Sequence, residues 1–255
     1  MTQSTFPLSR PSLSTSFPAH GGPLLNLYVP EHELLAAKRE AARLPSLDLG
    51  TRQSHDLELL LNGAFSPLRG FLNEADYQSV VTNSRLADGT LWPIPMVLDV
   101  SAEFASSLRV GQSIALKDLE GVPLAILELE SIYQPDRRVE AEAVYGTLDA
   151  THPGVAALLA HTQPVYLGGR LRGLEAPRHF DFRALRDTPA ALRQWFAEQG
   201  WERIVAFQTR NPLHRAHFEL TRQAAESVGA KLLLHPVVGQ TKPGDINHFT
   251  RVRCY

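Results

Sequence analysis

A single cysteine, Cys254, is all the thiol chemistry this 255-residue sequence offers. An internal disulfide and a cysteine-built zinc site are therefore both excluded, and a reducing compartment fits. No run of about 18 apolar residues occurs, and the first twenty positions lack the apolar block of a secretory signal. The expectation is a soluble, intracellular, cytoplasmic protein. Residues 1–20 are rich in Ser, Thr and Pro, with Arg10 as their one Lys/Arg/Asp/Glu residue, and read as a flexible tail rather than a transit peptide. No internal repeat is visible. Disorder over most of the length is excluded too, because 44% of the residues are hydrophobic, enough for the core of one large domain or two ordinary ones.

Net charge is also scarce, at −2, but it is unevenly spread. Residues 1–200 hold 17 Lys/Arg against 23 Asp/Glu, whereas residues 201–255 hold 8 against 4. Four of the 10 histidines, His214, His217, His235 and His248, share that basic end. A small anionic ligand is best placed there, and the acidic remainder argues against general nucleic-acid binding.

What is present falls into two textures. The spacing predicts helices over Glu31–Leu44, Ser54–Asn62 and, capped by Asn73 with Asp76 three residues on, through Val81. Short β-like runs follow at Ile94–Val100, Ser113–Leu116, Leu124–Tyr133 and Val165–Leu167, punctuated by Gly111, Gly121, Gly146 and Gly168. They suggest a small barrel or a folded-over sheet. Leu174–Asp187, with Pro177 and no steady period, is the candidate domain boundary. Beyond it, Thr188 and Pro189 open a helix that Gly200 ends. A strand at Ile204–Phe207, a helix at Pro212–Val228 and a strand at Lys231–Val238 then read as a right-handed βαβ unit.

The informative stretch is Gln208-Thr209-Arg210-Asn211-Pro212-Leu213-His214-Arg215-Ala216-His217, where the first of these strands hands over to the helix. In open α/β sheets ligands bind at that edge. With Asn211 as N-cap and Pro212 at the first helical position, free backbone N–H groups and the positive dipole end form an anion site. His214 and His217 lie three apart and project from one face, and a neighbouring phosphate favours their charged form. Two histidines at helical spacing are often mere surface residues, and Asn-Pro is a common helix start. The conjunction of Gln, Arg, Asn and two His on one turn is what favours a site. Metal ligation is disfavoured, since the same face offers no carboxylate and no cysteine.

The turn also lacks any carboxylate, lysine or cysteine to act as general base or nucleophile. That disfavours hydrolases, kinases of alcohols and covalent catalysis. A nucleophile already ionised at neutral pH needs only to be held by Arg210 and placed in line with a phosphorus atom.

These residues resemble the Gln-x-Arg-Asn-Pro-x-His-x-x-His motif of the ATP sulfurylases. The resemblance extends to Ala19-His20-Gly21-Gly22, Asn62–Leu68 with Gly70-Phe71, Trp92-Pro93-Ile94-Pro95, and Thr241-Lys242-Pro243-Gly244-Asp245. It implies an α/β plus mainly-β architecture: a PUA-like β domain over 21–173, then the start of a Rossmann-like nucleotidyltransferase domain over 174–255. It implies sulfate adenylyl transfer within sulfate assimilation, with Gln208 and Arg210 holding sulfate and Gln208, Thr209, Arg210, Asn211, His214 and His217 binding nucleotide. Thr209, Arg210, Asn211, His214 and His217 are then the catalytic set, the two histidines stabilising the pentavalent transition state and departing pyrophosphate. Mg2+ arrives with ATP through its phosphates, and no protein-only metal site is expected. Lys242 reads equally as a residue approaching the site or a solvated turn lysine, while Arg251 and Arg253 read as structural or phosphate-neutralising.

The family's later Gly-Arg-Asp-His segment is absent from the sequence. The expectation is an incomplete catalytic domain with little or no activity on its own, completed by a homo-oligomer or a partner chain. Two alternatives stay open: another adenylyltransferase of the same superfamily, which Gln208 and Arg210 weigh against, and a non-catalytic assembly subunit or RNA-binding module.

Overall fold

The structure is a computed structural model that describes residues 18–238 and 244–255. Residues 1–17 of the expected tail over 1–20, and Lys242, lie outside the described residues. Two compact units are present, Pro18–Ala190 and Ala191–Tyr255.

The first unit runs α1 (Glu31–Ala41), β1 (Ser46–Asp48), α2 (Thr51–Leu61), α3 (Glu74–Asn83), β2 (Leu98–Val100), α4 (Ala102–Ser106), β3 (Ser113–Lys117), β4 (Pro123–Tyr133), α5 (Arg137–Tyr145), α6 (Pro153–Ala160) and β5 (Val165–Gly173). Its strands form one sheet in the order β1-β3-β4-β5-β2. All neighbours are antiparallel except β1 and β3. The sheet is open, with β1 and β2 as its edges, rather than a closed barrel.

Local chemistry accounts for most helix ends. The Asn73 side chain accepts the Asp76 N–H at 2.9 Å and opens α3, and Gln53 accepts the Gly50 N–H at 3.0 Å ahead of α2. Asp136 caps α5 through two N–H groups, and Gly146 ends it with φ +70. The helices α4 to α6 interrupt the stretch expected to be wholly β-like. Side-chain caps at Ser101, Asp136 and His152 open them, and α6, with Val155, Leu158 and Leu159, is apolar along most of its length.

Both faces of the sheet are covered. Ile114, Leu116 and Leu127 belong to a large cluster with Leu57, Leu60 and Leu61 of α2 and Tyr77 and Val80 of α3. Ala115 and Ile126, next to them in sequence, join Ala37 and Ala41 of α1 and Leu174 in a smaller cluster. Each fully buried leucine contributes about 1.5–3 kcal/mol, so this double-sided burial is the main support of the unit.

Strand β5 runs six residues further than the predicted Val165–Leu167, because its glycines are not stops. A side chain on Gly168 would strike the Leu72 carbonyl, and one on Gly169 the Glu128 carbonyl. Glycine inside a strand marks such close backbone approach.

The second unit holds α7 (Pro189–Glu198, begun at its edge), β6 (Ile204–Thr209), α8 (Arg215–Ser227), β7 (Lys231–Pro236) and α9 (His248–Arg253). β6 and β7 pair in parallel, with Gln208 opposite His235 and Thr209 opposite Pro236. α8 packs on both strands through its buried Thr221 and Ala225. Among the described residues no helix is long and apolar enough to cross a membrane.

Candidate functional site at the strand-to-helix turn

Strand β6 ends at Thr209, and α8 begins at Arg215 with His214 as its N-cap. This corrects the expected helix over Pro212–Val228, with Asn211 as its cap. The physical reason lies in the Asn211 carbonyl: an N-cap lends this oxygen to the first helical bond, but here the Thr209 and Tyr255 hydroxyls donate to it at 3.2 and 2.7 Å. The first carbonyl to accept a helical bond is that of His214, from Phe218 N–H at 3.1 Å.

The turn is nevertheless closely organised. Thr209 is buried, and its Oγ1 accepts the Asn211 N–H at 3.1 Å. Arg210 is half-buried and donates from Nη2 to Asp245 Oδ2 at 2.7 Å. Its carbonyl accepts from Arg251 Nη1 at 2.6 Å, and the Asn211 carbonyl accepts from the Tyr255 hydroxyl at 2.7 Å. Gln208 and Asn211 are exposed.

Both histidines sit on the first turn of α8. Their ring centroids are 3.8 Å apart and their planes 30° from parallel. His214 is exposed, whereas His217 is partly buried and tilted against Phe207 at 5.7 Å. The His217 Nδ1 is buried with no hydrogen-bond partner. An unpaired buried polar atom costs about 1–3 kcal/mol, and such atoms recur where a ligand or catalytic role explains them.

At the same end, the amides of Arg215, Ala216 and His217 have no acceptor within the helix by construction, and the His214 side chain caps none of them. Bare amides, a dipole end, two imidazoles and a guanidinium thus share one turn. That set can bind anionic oxygens and stabilise charge as it develops. Among the described residues no group of three or more His, Cys, Asp or Glu is placed to hold a metal ion.

Sequence reasoning left three contributors unassigned to the turn. Asp245 is the partner of Arg210, while Arg251, 2% exposed, and Tyr255 hold its carbonyls. The extra Lys/Arg count of this region pointed toward Arg251. Nothing local pointed to Tyr255. Arg253 and His235 are exposed.

Comparison with known proteins gives a consistent result. Residues 17–176 match the model of the PUA-like domain, and residues 183–255 match that of ATP-sulfurylase. The sulfate adenylyltransferase of Saccharomyces cerevisiae is 50% identical over 240 residues, covering 92% of this chain and 47% of its own length. That of Kluyveromyces lactis is 52% identical over 239 residues, with the same two coverages. That of Gibberella zeae is 51% identical over 242 residues, covering 92% and 42%. Among solved structures, one described as a hexameric APS kinase from Thiobacillus denitrificans superposes with a TM-score of 0.76 at 37% identity, over 93% of this chain and 43% of that one. The chain spans about half the length of the curated relatives it matches.

Proposed function

The chain belongs to the ATP sulfurylase family, and from that premise we propose that its strand-to-helix turn serves the transfer of an adenylyl group from ATP to sulfate. The observation that carries this reading is the closely packed, tilted His214–His217 pair at the start of α8, four residues beyond Arg210. A sulfate oxygen attacks the α-phosphorus in line. The P–O bond to the β-phosphate breaks, and its electron pair leaves with pyrophosphate. Sulfate is already ionised, so the step needs no base, and the carboxylate at the turn, Asp245, is engaged with Arg210.

In this reading Gln208 and Arg210 hold sulfate, and Arg210 and Asn211 contact nucleotide phosphates. Thr209 keeps the turn in shape through its bond to the Asn211 amide. His214, His217 and the open amides of α8 take the charge that builds on the phosphoryl oxygens and on departing pyrophosphate. Mg2+ comes with ATP as part of the substrate, bound to its phosphates. Residues 21–173 form the PUA-like β domain and 174–255 the start of the Rossmann-like catalytic domain. A homo-oligomer or a partner chain completes the nucleotide site, and the setting is the cytoplasm.

The test is calorimetric titration of the 255-residue chain with adenylyl sulfate. Binding that selenate displaces, and that Arg210→Ala abolishes, is the expected result. Binding indifferent to selenate points instead to an adenylyltransferase with another acceptor. Sulfate-dependent pyrophosphate release by this chain alone is expected to be weak or nil.

A further inference from the structure

Two donors on one short segment reach back to the turn. Asn247 caps α9, its Oδ1 accepting the Phe249 N–H at 2.9 Å. Arg251 and Tyr255 are four residues apart, and the backbone stays turned between them, with Cys254 N–H bonded to the Arg251 carbonyl and Tyr255 N–H to that of Val252. Residues four apart on such a turn share a face. From that face Arg251 Nη1 meets the Arg210 carbonyl at 2.6 Å and the Tyr255 hydroxyl meets the Asn211 carbonyl at 2.7 Å.

The two peptide groups so gripped are consecutive. The first has its other end tied as well, since the Asn211 N–H donates to Thr209 Oγ1 at 3.1 Å. The second has no N–H, because its nitrogen belongs to Pro212. Both planes of the Asn-Pro turn are therefore fixed, and both carbonyl oxygens are occupied by donors. This matters electrostatically. A free carbonyl oxygen beside bound sulfate or phosphate would repel it, whereas a fixed plane leaves the guanidinium of Arg210 and the amides of α8 facing the anion.

Arg251 is an expensive way to satisfy a single carbonyl. Its side chain is almost wholly buried, and its Nε has no hydrogen-bond partner. A buried guanidinium with an unpaired N–H is tolerated where its charge serves something else, and here it lies directly behind an anion-binding turn.

We propose that Arg251 and Tyr255 are positioning residues: they hold the Arg210 and Asn211 carbonyls against the α9 segment, so that neither carbonyl oxygen is turned toward the anionic ligand. The inference rests on the proposed function for the identity of that ligand, but not for the clamp itself. The Tyr255 phenol is a donor at neutral pH, and burial raises its pKa further.

The experiment compares the wild-type chain with Tyr255→Phe, Arg251→Lys and Arg251→Met. Three quantities are read: amide hydrogen exchange at Asn211 by NMR, the Kd for adenylyl sulfate by calorimetry, and Tm without ligand. Losing one hydrogen bond in Tyr255→Phe should speed exchange at Asn211 and weaken binding, each roughly tenfold, with little change in Tm. Arg251→Lys keeps a charged donor and should retain most of the binding that Arg251→Met loses. If Tyr255→Phe exchanges as slowly as wild type, or binds as tightly as a wild type that does bind, the positioning role is overturned. If wild type takes up no adenylyl sulfate while Tyr255→Phe still accelerates exchange, the clamp stands and the functional reading falls.

Discussion

The imidazole of His217 lies 3.8 Å from that of His214, centre to centre and tilted by 30°, and of the two only the His217 ring carries a buried, unpaired nitrogen. Two rings this close act on a ligand as a unit. An anion held across the pair engages both rings at once, so losing one ring alters what the other contributes. His214→Ala and His217→Ala should each weaken adenylyl sulfate binding by about tenfold, and the double variant by clearly less than the product. Calorimetric titration of the four proteins closes the cycle. A fully multiplicative result would mean that the close packing is incidental.

Arg210 meets Asp245 before it meets any ligand. The carboxylate fixes the plane of the guanidinium at 2.7 Å but also neutralises it. Asp245→Asn retains an acceptor and removes the charge. For a partly exposed pair worth about 1 kcal/mol, the affinity for anions should rise roughly fivefold, and the gain should shrink in high salt. Displacement of adenylyl sulfate by selenate, measured at two ionic strengths, checks both. Lower affinity in Asp245→Asn would show that orienting Arg210 outweighs freeing its charge.

What could be read in the sequence followed the range of the interactions. The Asn73 cap of α3 was legible because cap and donor lie three residues apart. The β6-α8-β7 order was legible because apolar runs flank an amphipathic segment. The start of α8 was misplaced, since Asn-Pro is a sound local start signal and what occupies the Asn211 carbonyl instead comes from Tyr255, far along the chain. The Arg210–Asp245 pair and the Tyr255–Asn211 bond span 35 and 44 positions. Only the folded chain brings those groups together, so no spacing rule could find them.

The glycines of the first unit divide by the same logic, and substitution should separate the two kinds. At Gly146 a new methyl meets open space, and the cost is that of a left-handed backbone at φ +70, about 1 kcal/mol. At Gly168 the methyl meets the backbone of Leu72 and Asn73, with the Asn73 nitrogen 2.7 Å away. Overpacking against backbone has no side chain to yield, so Gly168→Ala should cost about 3 kcal/mol or more. Urea unfolding of the two variants gives the comparison. Equal losses would mean that β5 shifts to accommodate the methyl.

Glu140 supplies a prediction in pH. It is buried in the first unit, where its Oε2 accepts from the Tyr77 hydroxyl at 2.9 Å and the Tyr166 hydroxyl at 3.1 Å. Burial pushes its pKa up more strongly than the two phenol bonds pull it down. The folded protein therefore holds this proton more tightly than the unfolded chain does. Its contribution to stability is fully present below the ordinary value of 4.5 and is lost as pH rises through the raised folded value. Glu140→Gln keeps an acceptor for the phenols and does not titrate, so other groups cancel in the comparison. The stability of wild type relative to Glu140→Gln should fall as pH climbs from 4.5, then level off once the carboxyl has ionised in the folded state. Paired thermal melts across the acid-to-neutral range measure this difference directly. A flat difference would mean that the phenol bonds balance the burial, and a rising one that they exceed it.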